Sequence, residues 1–152
     1  MRKLILFLAL IFVLQVGYRV QAVLADDREE NVLIENVLKD YFKSLTNRDL
    51  KSLMNQISVN YSAGNGNVDK AKFKFGIEGF LKNFKNISIS NLKLTKLNAH
   101  DNKALYEIDF NFKATDLSNN KRVSLKKRRL VSLAKEDGLW KIMRFEDKPA
   151  ED

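Results

Sequence analysis

Lys103-Ala104-Leu105-Tyr106-Glu107-Ile108-Asp109-Phe110-Asn111-Phe112-Lys113-Ala114-Thr115 is the stretch that decides the fold. From Tyr106 to Ala114 every even position is apolar, while Glu107, Asp109, Asn111 and Lys113 fill the odd ones. A side-chain period of two is that of a strand with one face on a core and the other in water. Tyr106, Ile108, Phe110, Phe112 and Ala114 are therefore the core face. The carboxylates of Glu107 and Asp109 are expected on the solvated one.

Working outward, the same period marks strands over Ile87–Leu97, Lys121–Ala134 and Leu139–Phe145. The connections are His100-Asp101-Asn102, Ser118-Asn119-Asn120 and Asp137-Gly138, the last a strong two-residue hairpin signal. Toward the N-terminus the period lengthens. Ile34, Val37, Leu38, Tyr41, Phe42 and Leu45 follow the 3–4 spacing of a helix with one buried stripe. Its start is expected at Asp26-Asp27-Arg28-Glu29-Glu30, where an aspartate cap precedes acidic residues in the first turn. A short second helix presents Leu50, Leu53, Met54 and Ile57 on one face, followed by an extended piece over 58–62 and a loop from Ala63 to Asn67. A third helix, Val68–Phe84, is capped near Asn67 or Asp69 and carries the stripe Phe73, Ile77, Phe80, Leu81, Phe84. Gly76 and Gly79 each weaken it by up to ~1 kcal/mol relative to alanine. Three helices and then an antiparallel meander make an α+β domain, with a curved sheet of four main strands and a short extra one.

This order of elements resembles the nuclear transport factor 2-like (SnoaL-like) cone. So do Tyr41-Phe42-Lys43-Ser44-Leu45, Arg48-Asp49-Leu50 and Leu53-Met54 near the start, and the closing Asp137-Gly138-Leu139-Trp140-Lys141-Ile142. The resemblance implies a deep conical cavity and a family ranging from enzymes to binding modules, so no single activity comes with it. Enzymes of that superfamily use an Asp base, an Asp–His pair, or a Tyr with a protonated Asp inside the cone. The face assignment leaves no such inward set here. His100 beside Asp101 is placed in a turn, where adjacent residues do not make a buried base with a rigid orienting partner. Tyr41 and Tyr61 are candidates to reach the cone.

Lys126-Lys127-Arg128-Arg129 departs from this patterning. A two-residue turn at Asn119-Asn120 sets Phe112 opposite Lys127, Phe110 opposite Arg129 and Ile108 opposite Val131, with both apolar faces coinciding. Lys127 and Arg129 then fall on the core face, where an unpaired charge is costly. Three readings follow. Arg129 pairs across the sheet with Glu146, its stem and that of Lys127 lying over Phe110 and Phe112. Or the cone is open, and Lys127 and Arg129 select an anionic ligand. Or a bulge turns Leu130 inward and the charges outward, leaving a basic surface patch.

Met1-Arg2-Lys3, the apolar run Leu4–Leu14 and the alanine-ended boundary have the layout of a secretory signal peptide, cleaved after Ala22 or Ala25. The run is shorter than the ~20 residues a spanning helix needs, and an uncleaved anchor is the alternative. Residues 23–152 then form a single domain, periplasmic or secreted, which meets the membrane through the signal segment alone. Removing 1–22 takes three of the 27 basic residues (Arg2, Lys3, Arg19) and none of the 19 acidic ones, so the formal charge falls from +8 to +5. That balance does not indicate nucleic acid. The chain has no cysteine and one histidine, which excludes thiol catalysis and disulfides and leaves almost nothing to hold zinc or iron. No cofactor is expected. Asn60-Tyr61-Ser62 and Asn86-Ile87-Ser88 match the glycosylation acceptor pattern, as chance allows in a chain rich in Asn and Ser.

The expected function is a non-catalytic binding or interaction module, with Lys127, Arg129, Tyr41, Tyr61, Phe110 and Phe112 around a small anionic ligand. One alternative is a small-molecule isomerase, dehydratase or hydrolase working in the cone. Another is a homodimer through the outer sheet face, given apolar character by Leu130, Met143 and Phe145.

Overall fold

The computed structural model describes residues 28–64 and 66–149. The signal segment, its cleavage positions and the Asp26 cap lie outside the described residues. The chain separates into two compact units, Met1–Ile34 and Glu35–Asp152. Of the first, residues 28–34 are described and are helical. The second holds α1 (35–46), α2 (Leu50–Asn55), β1 (Ser62–Ala63), β2 (Val68–Asp69), α3 (Lys70–Asn83), β3 (Phe84–His100), β4 (Lys103–Asp116), β5 (Arg122–Glu136) and β6 (Leu139–Lys148). Among the described residues no helix is long and apolar enough to cross a membrane.

Sequence chemistry explains where the helices start and stop. The stripe Leu38, Tyr41, Phe42, Leu45 of α1 is buried. Asp49 caps α2 by accepting a hydrogen bond from the Ser52 amide at 3.0 Å, and Asp69 caps α3 by accepting from Lys72 N at 2.8 Å. The far end of α3 is closed by a distant residue. Arg48, in the left-handed region at φ 59°, donates to the carbonyls of Leu81 and Phe84. The Arg48-Asp49 pair thus caps the end of one helix and the start of another. The extra strand is a two-stranded hairpin, Ser62–Ala63 on Val68–Asp69, so α3 begins two residues later than its periodicity suggests.

The four long strands form an antiparallel sheet in the order β3-β4-β5-β6. Asp101 (φ 49°) with Asn102 (φ 61°), and Asp137 (φ 50°) with Gly138 (φ 78°), make the two tight hairpins, both central residues being left-handed as a type I′ turn requires. β3 runs longer than its expected span and shifts register three times. Asn86 and Asn91, both at φ 53°, lie at two of these irregularities. Asparagine tolerates that backbone, and bulges of this kind curl a strand around the helices. The edge of β6 is covered by a parallel bridge from Ile57 to Ile142, with Ser58 N donating to Ile142 O at 2.9 Å and Ile142 N to Gln56 O at 2.8 Å.

Tyr106, Ile108, Phe110 and Ala114 are buried and face the helices, as their even positions require. Glu107 and Asp109 lie on the opposite face, though not as free carboxylates. Arg128 Nε is 2.8 Å from Asp109 Oδ1, and Lys148 Nζ is 3.0 Å from Glu107 Oε2.

Two expected registers are corrected. The β4–β5 connection is not a two-residue Asn119-Asn120 turn. The Asp116 carboxylate accepts from Ser118 N at 2.8 Å and Ser118 Oγ at 2.7 Å, and Asp116 N bonds Lys121 O at 2.9 Å. This side-chain-built turn closes a longer loop. Pairing slides by two residues, so that Phe112 faces Leu125, Phe110 faces Lys127 and Ile108 faces Arg129. In β6 the ladder runs as expected from Glu136–Leu139 to Leu133–Ile142, then skips Met143 to pair Ser132 with Arg144. The bulge inverts the remaining alternation. Phe145, expected on the outer face, pairs with Val131 on the inner one, and Arg129 meets Asp147 in place of Glu146.

Candidate functional site

The stripe of α3 is only half-buried at Phe73, Ile77 and Phe80, because the space beneath it is not filled. A cavity of about 400 Å³ lies between that helix, α1 and the sheet. Tyr41, Phe42 and Leu45 line it from α1, Ile77 and Phe80 from α3, and Phe84 and Ile89 from β3. Phe110 and Phe112 of β4 form the floor, and Val123, Leu125, Lys127 and Arg129 of β5 the remaining wall. Rings meet across it: Phe42 and Phe110 at 4.9 Å, Phe80 and Phe112 at 5.9 Å. β6 makes its last pair opposite Arg128, so β5 from Arg122 to Lys127 has no strand partner on that side among the described residues. Leu125, 44% exposed, marks where the cone opens.

Even parity brings Lys127 and Arg129 to this wall, and an even slip of register leaves them there. Arg129 Nε lies 2.5 Å from Asp147 Oδ1, and its guanidinium sits 5.8 Å from the centre of the Phe145 ring. Lys127 has no ion pair or hydrogen bond with any described residue. Of the three readings of the basic run, the bulge belongs to β6 and not to β5. The cross-sheet pair forms with a different acid, and the cavity exists beside it.

Tyr41 is 2% exposed, with its ring 5.0 Å from Phe145. Burial pushes its hydroxyl far above the usual tyrosine range, and the Arg129 charge opposes this only in part. It is a neutral phenol, able to donate or accept a hydrogen bond but not to serve as a base near neutrality. Tyr61 is buried but outside the cavity lining, its ring 4.6 Å from that of Phe73 and tilted by 42°. Burial raises its hydroxyl too, against a backbone hydrogen bond from Phe145 and the Arg129 charge. Five of the six anticipated residues therefore share one cavity and Tyr61 flanks it. Asp147 was missed, because only the bulge at Met143 points it inward. The cavity-facing role of Ile77, Phe80 and Phe84 was missed as well. As an apolar stripe they read as ordinary packing.

Among the described residues the lining contains no Asp, Glu, His, Ser or Thr. His100 sits on the β3–β4 turn, its side chain 79% exposed and 3.2 Å from Asp101 Oδ2, beside residues that the cavity does not share. Among the described residues no three His, Cys, Asp or Glu side chains cluster as a metal site would need.

Solved structures place this architecture. A protein of the NTF2-like family from Streptomyces avermitilis superposes with a TM-score of 0.65 at 9% identity, covering 82% of this chain and 99% of that one. The fold is the NTF2-like cone. A ketosteroid isomerase-like protein from Erwinia carotovora atroseptica shares this cone at TM-score 0.66 and 13% identity, over 80% of this chain and 98% of that one. A hexachlorocyclohexane dehydrochlorinase, LinA type 3, from Novosphingobium barchaimii gives 0.67 at 14% identity, over 82% and 88%. No protein-family model matches the sequence, and neither does any curated protein. At these identities the likeness is one of fold.

Proposed function

We propose that the protein is an exported, non-catalytic binding module that holds a small anionic ligand in its NTF2-like cone. The observation that carries this reading is Lys127, an ammonium on the wall of a largely apolar cavity, with no acidic partner among the described residues. A charge in such a place is compensated by a ligand of opposite sign. The absence of a carboxylate or imidazole from the lining argues against acid–base turnover in the same space.

The test is thermal denaturation of the full chain with small carboxylates and with the corresponding neutral alcohols. A ligand at a hundred times its dissociation constant stabilises by about 2.7 kcal/mol, a shift of several degrees. The acids are expected to give that shift and the alcohols not, and Lys127→Met to remove the difference. Equal shifts from acid and alcohol would refute the reading.

A second reading, an isomerase, dehydratase or hydrolase built on Tyr41, Tyr61, Lys127 and Arg129, draws support from the isomerase-like and dehydrochlorinase neighbours. It requires turnover that Tyr41→Phe abolishes while binding persists.

A further inference from the structure

The size and charge of the anion are both written into the cavity wall, and the inference drawn from them rests on the binding reading above. We infer that the ligand is a monoanion: a carboxylate on a compact apolar body of about a dozen non-hydrogen atoms, held at Lys127, with Asp147 excluding dianions.

Size comes from the volume. A water-sized group occupies about 30 Å³, so a cavity of about 400 Å³ takes at most about thirteen of them. A ten-carbon acid or a fused two-ring aromatic acid fits. A long-chain fatty acid or a four-ring skeleton exceeds the space between the aromatic walls, and the excess is left in water at the opening by Leu125. Those walls are ring edges and faces. Phe42 and Phe110 are inclined at 56°, Phe80 and Phe112 at 51°, and Phe80 stacks on Phe84 at 28°. Such surfaces favour a flat or slender apolar body over a polar one.

Charge comes from counting the groups on the wall and the one acid that pairs with them from beside it. Lys127 and Arg129 supply two positive charges. Asp147, turned inward by the bulge at Met143, lies 2.5 Å from Arg129 and cancels one. Tyr41 is neutral. One positive charge is left over, at Lys127. A carboxylate balances it, whereas a phosphate dianion brings a second negative charge into an apolar space already next to Asp147. Lys127 stands directly opposite Phe110 in the ladder, so a ligand anchored there extends its apolar part over the Phe110–Phe112 floor.

The experiment is calorimetric titration of the full chain with 2-naphthoate, decanoate, octadecanoate, 2-naphthylmethanol and 2-naphthyl phosphate. The two compact acids are expected to bind about tenfold or more tightly than the alcohol and the phosphate, and octadecanoate no more tightly than decanoate. Asp147→Asn is expected to raise the phosphate-to-carboxylate affinity ratio about tenfold, and Lys127→Gln to abolish the preference of acid over alcohol. Asp147 is 60% exposed at the end of a strand, and an unchanged melting temperature shows that its variant is folded.

A phosphate that binds wild type as well as the naphthoate, or a ratio that Asp147→Asn leaves in place, overturns the charge count. Octadecanoate binding about tenfold more tightly than decanoate overturns the size limit. In both cases the anion-binding reading survives. If no anion outbinds the alcohol, that reading falls and this inference with it.

Discussion

Arg48 joins a local sequence motif to the roof of the cavity, and replacing it tests both. Its guanidinium donates to the carbonyls of Leu81 and Phe84, the last turn of α3, at a point where the helix has no glycine to close it. Each bond is charge-assisted and sits at the negative end of the helix dipole, worth about 1.5–3 kcal/mol when buried. Arg48 is exposed, so about 1 kcal/mol apiece is the appropriate figure, and Arg48→Ala is expected to cost about 2 kcal/mol. The backbone at Arg48 is left-handed, φ 59°, which burdens arginine and alanine alike but not glycine. Arg48→Gly loses the same two bonds and regains about 1 kcal/mol, net of the entropy glycine loses on folding. It is therefore expected to cost about half as much as Arg48→Ala. Urea denaturation followed by circular dichroism reads the difference. With slopes of about 1–3 kcal/mol/M, the alanine variant's midpoint falls by about 1 M and the glycine variant's by about half that. Two variants of equal stability would refute the left-handed assignment. A loss below about 0.5 kcal/mol in Arg48→Ala would show that water caps α3 as well as the guanidinium does.

Gly76 lies in the middle of α3 with nothing within 4 Å of where a Cβ would sit, so Gly76→Ala is expected to raise stability by about 0.5–1 kcal/mol; a loss would mean that the helix face is occupied. The Tyr106 hydroxyl is buried without a hydrogen-bond partner among the described residues, and Tyr106→Phe is expected to be neutral to stabilising by about 1 kcal/mol in the same urea assay; a loss of that size would reveal a partner for the hydroxyl. Hydrogen bonds from Ser58 and then Asn60 hold the Glu136 carboxyl below its ordinary value of 4.5. A depressed carboxyl contributes stability that is present above that value and lost as the pH falls through its folded-state pKa. The lead of wild type over Glu136→Gln is therefore expected to close as the pH falls below the ordinary carboxylate range, and a gap that persists at low pH would assign the effect to something other than ionisation. Phe145→Asp is expected to destabilise the fold, since the ring packs inward against Tyr41 and Phe73; a folded variant that merely changes oligomeric state would restore Phe145 to the outer face.

Which parts of this molecule were legible in the chain follows from what each signal encodes. Periodicity reports faces. The buried stripe of α1 and the inward residues of β4 stood in the sequence because burial at those positions is a matter of parity or of helical spacing, independent of any neighbour. The Asp137-Gly138 hairpin was legible because two successive left-handed residues demand that chemistry. The β4–β5 turn was not. Asn119-Asn120 has the composition of a tight turn, but Asp116, earlier in the chain, offers its carboxylate to the Ser118 amide and wins the backbone first. Propensity at two positions cannot register that competition. Nor does an apolar stripe reveal a hollow: Ile77, Phe80 and Phe84 have the same pattern whether they touch a filled core or face a cavity.

The two kinds of error had unequal consequences for the site. Sliding β5 by two residues against β4 exchanged every cross-strand partner of Lys127 and Arg129 and left both on the inner face, because two is the period of the strand. Skipping one residue at Met143 did the opposite. It moved Phe145 and Asp147 from one side of the sheet to the other and so brought an acid to Arg129. The presence of two cations in the cone is thus insensitive to register, whereas their net charge depends on a single unpaired residue in β6. Deleting Met143 is the corresponding perturbation. It joins Ile142 directly to Arg144 and restores unbroken alternation, while Ser132–Arg144, Val131–Phe145 and Arg129–Asp147 keep their pairing. If the binding reading holds, a folded deletion variant is therefore expected to refuse dianions as wild type does, and one that accepts them would show that Asp147 does not set the charge of the site.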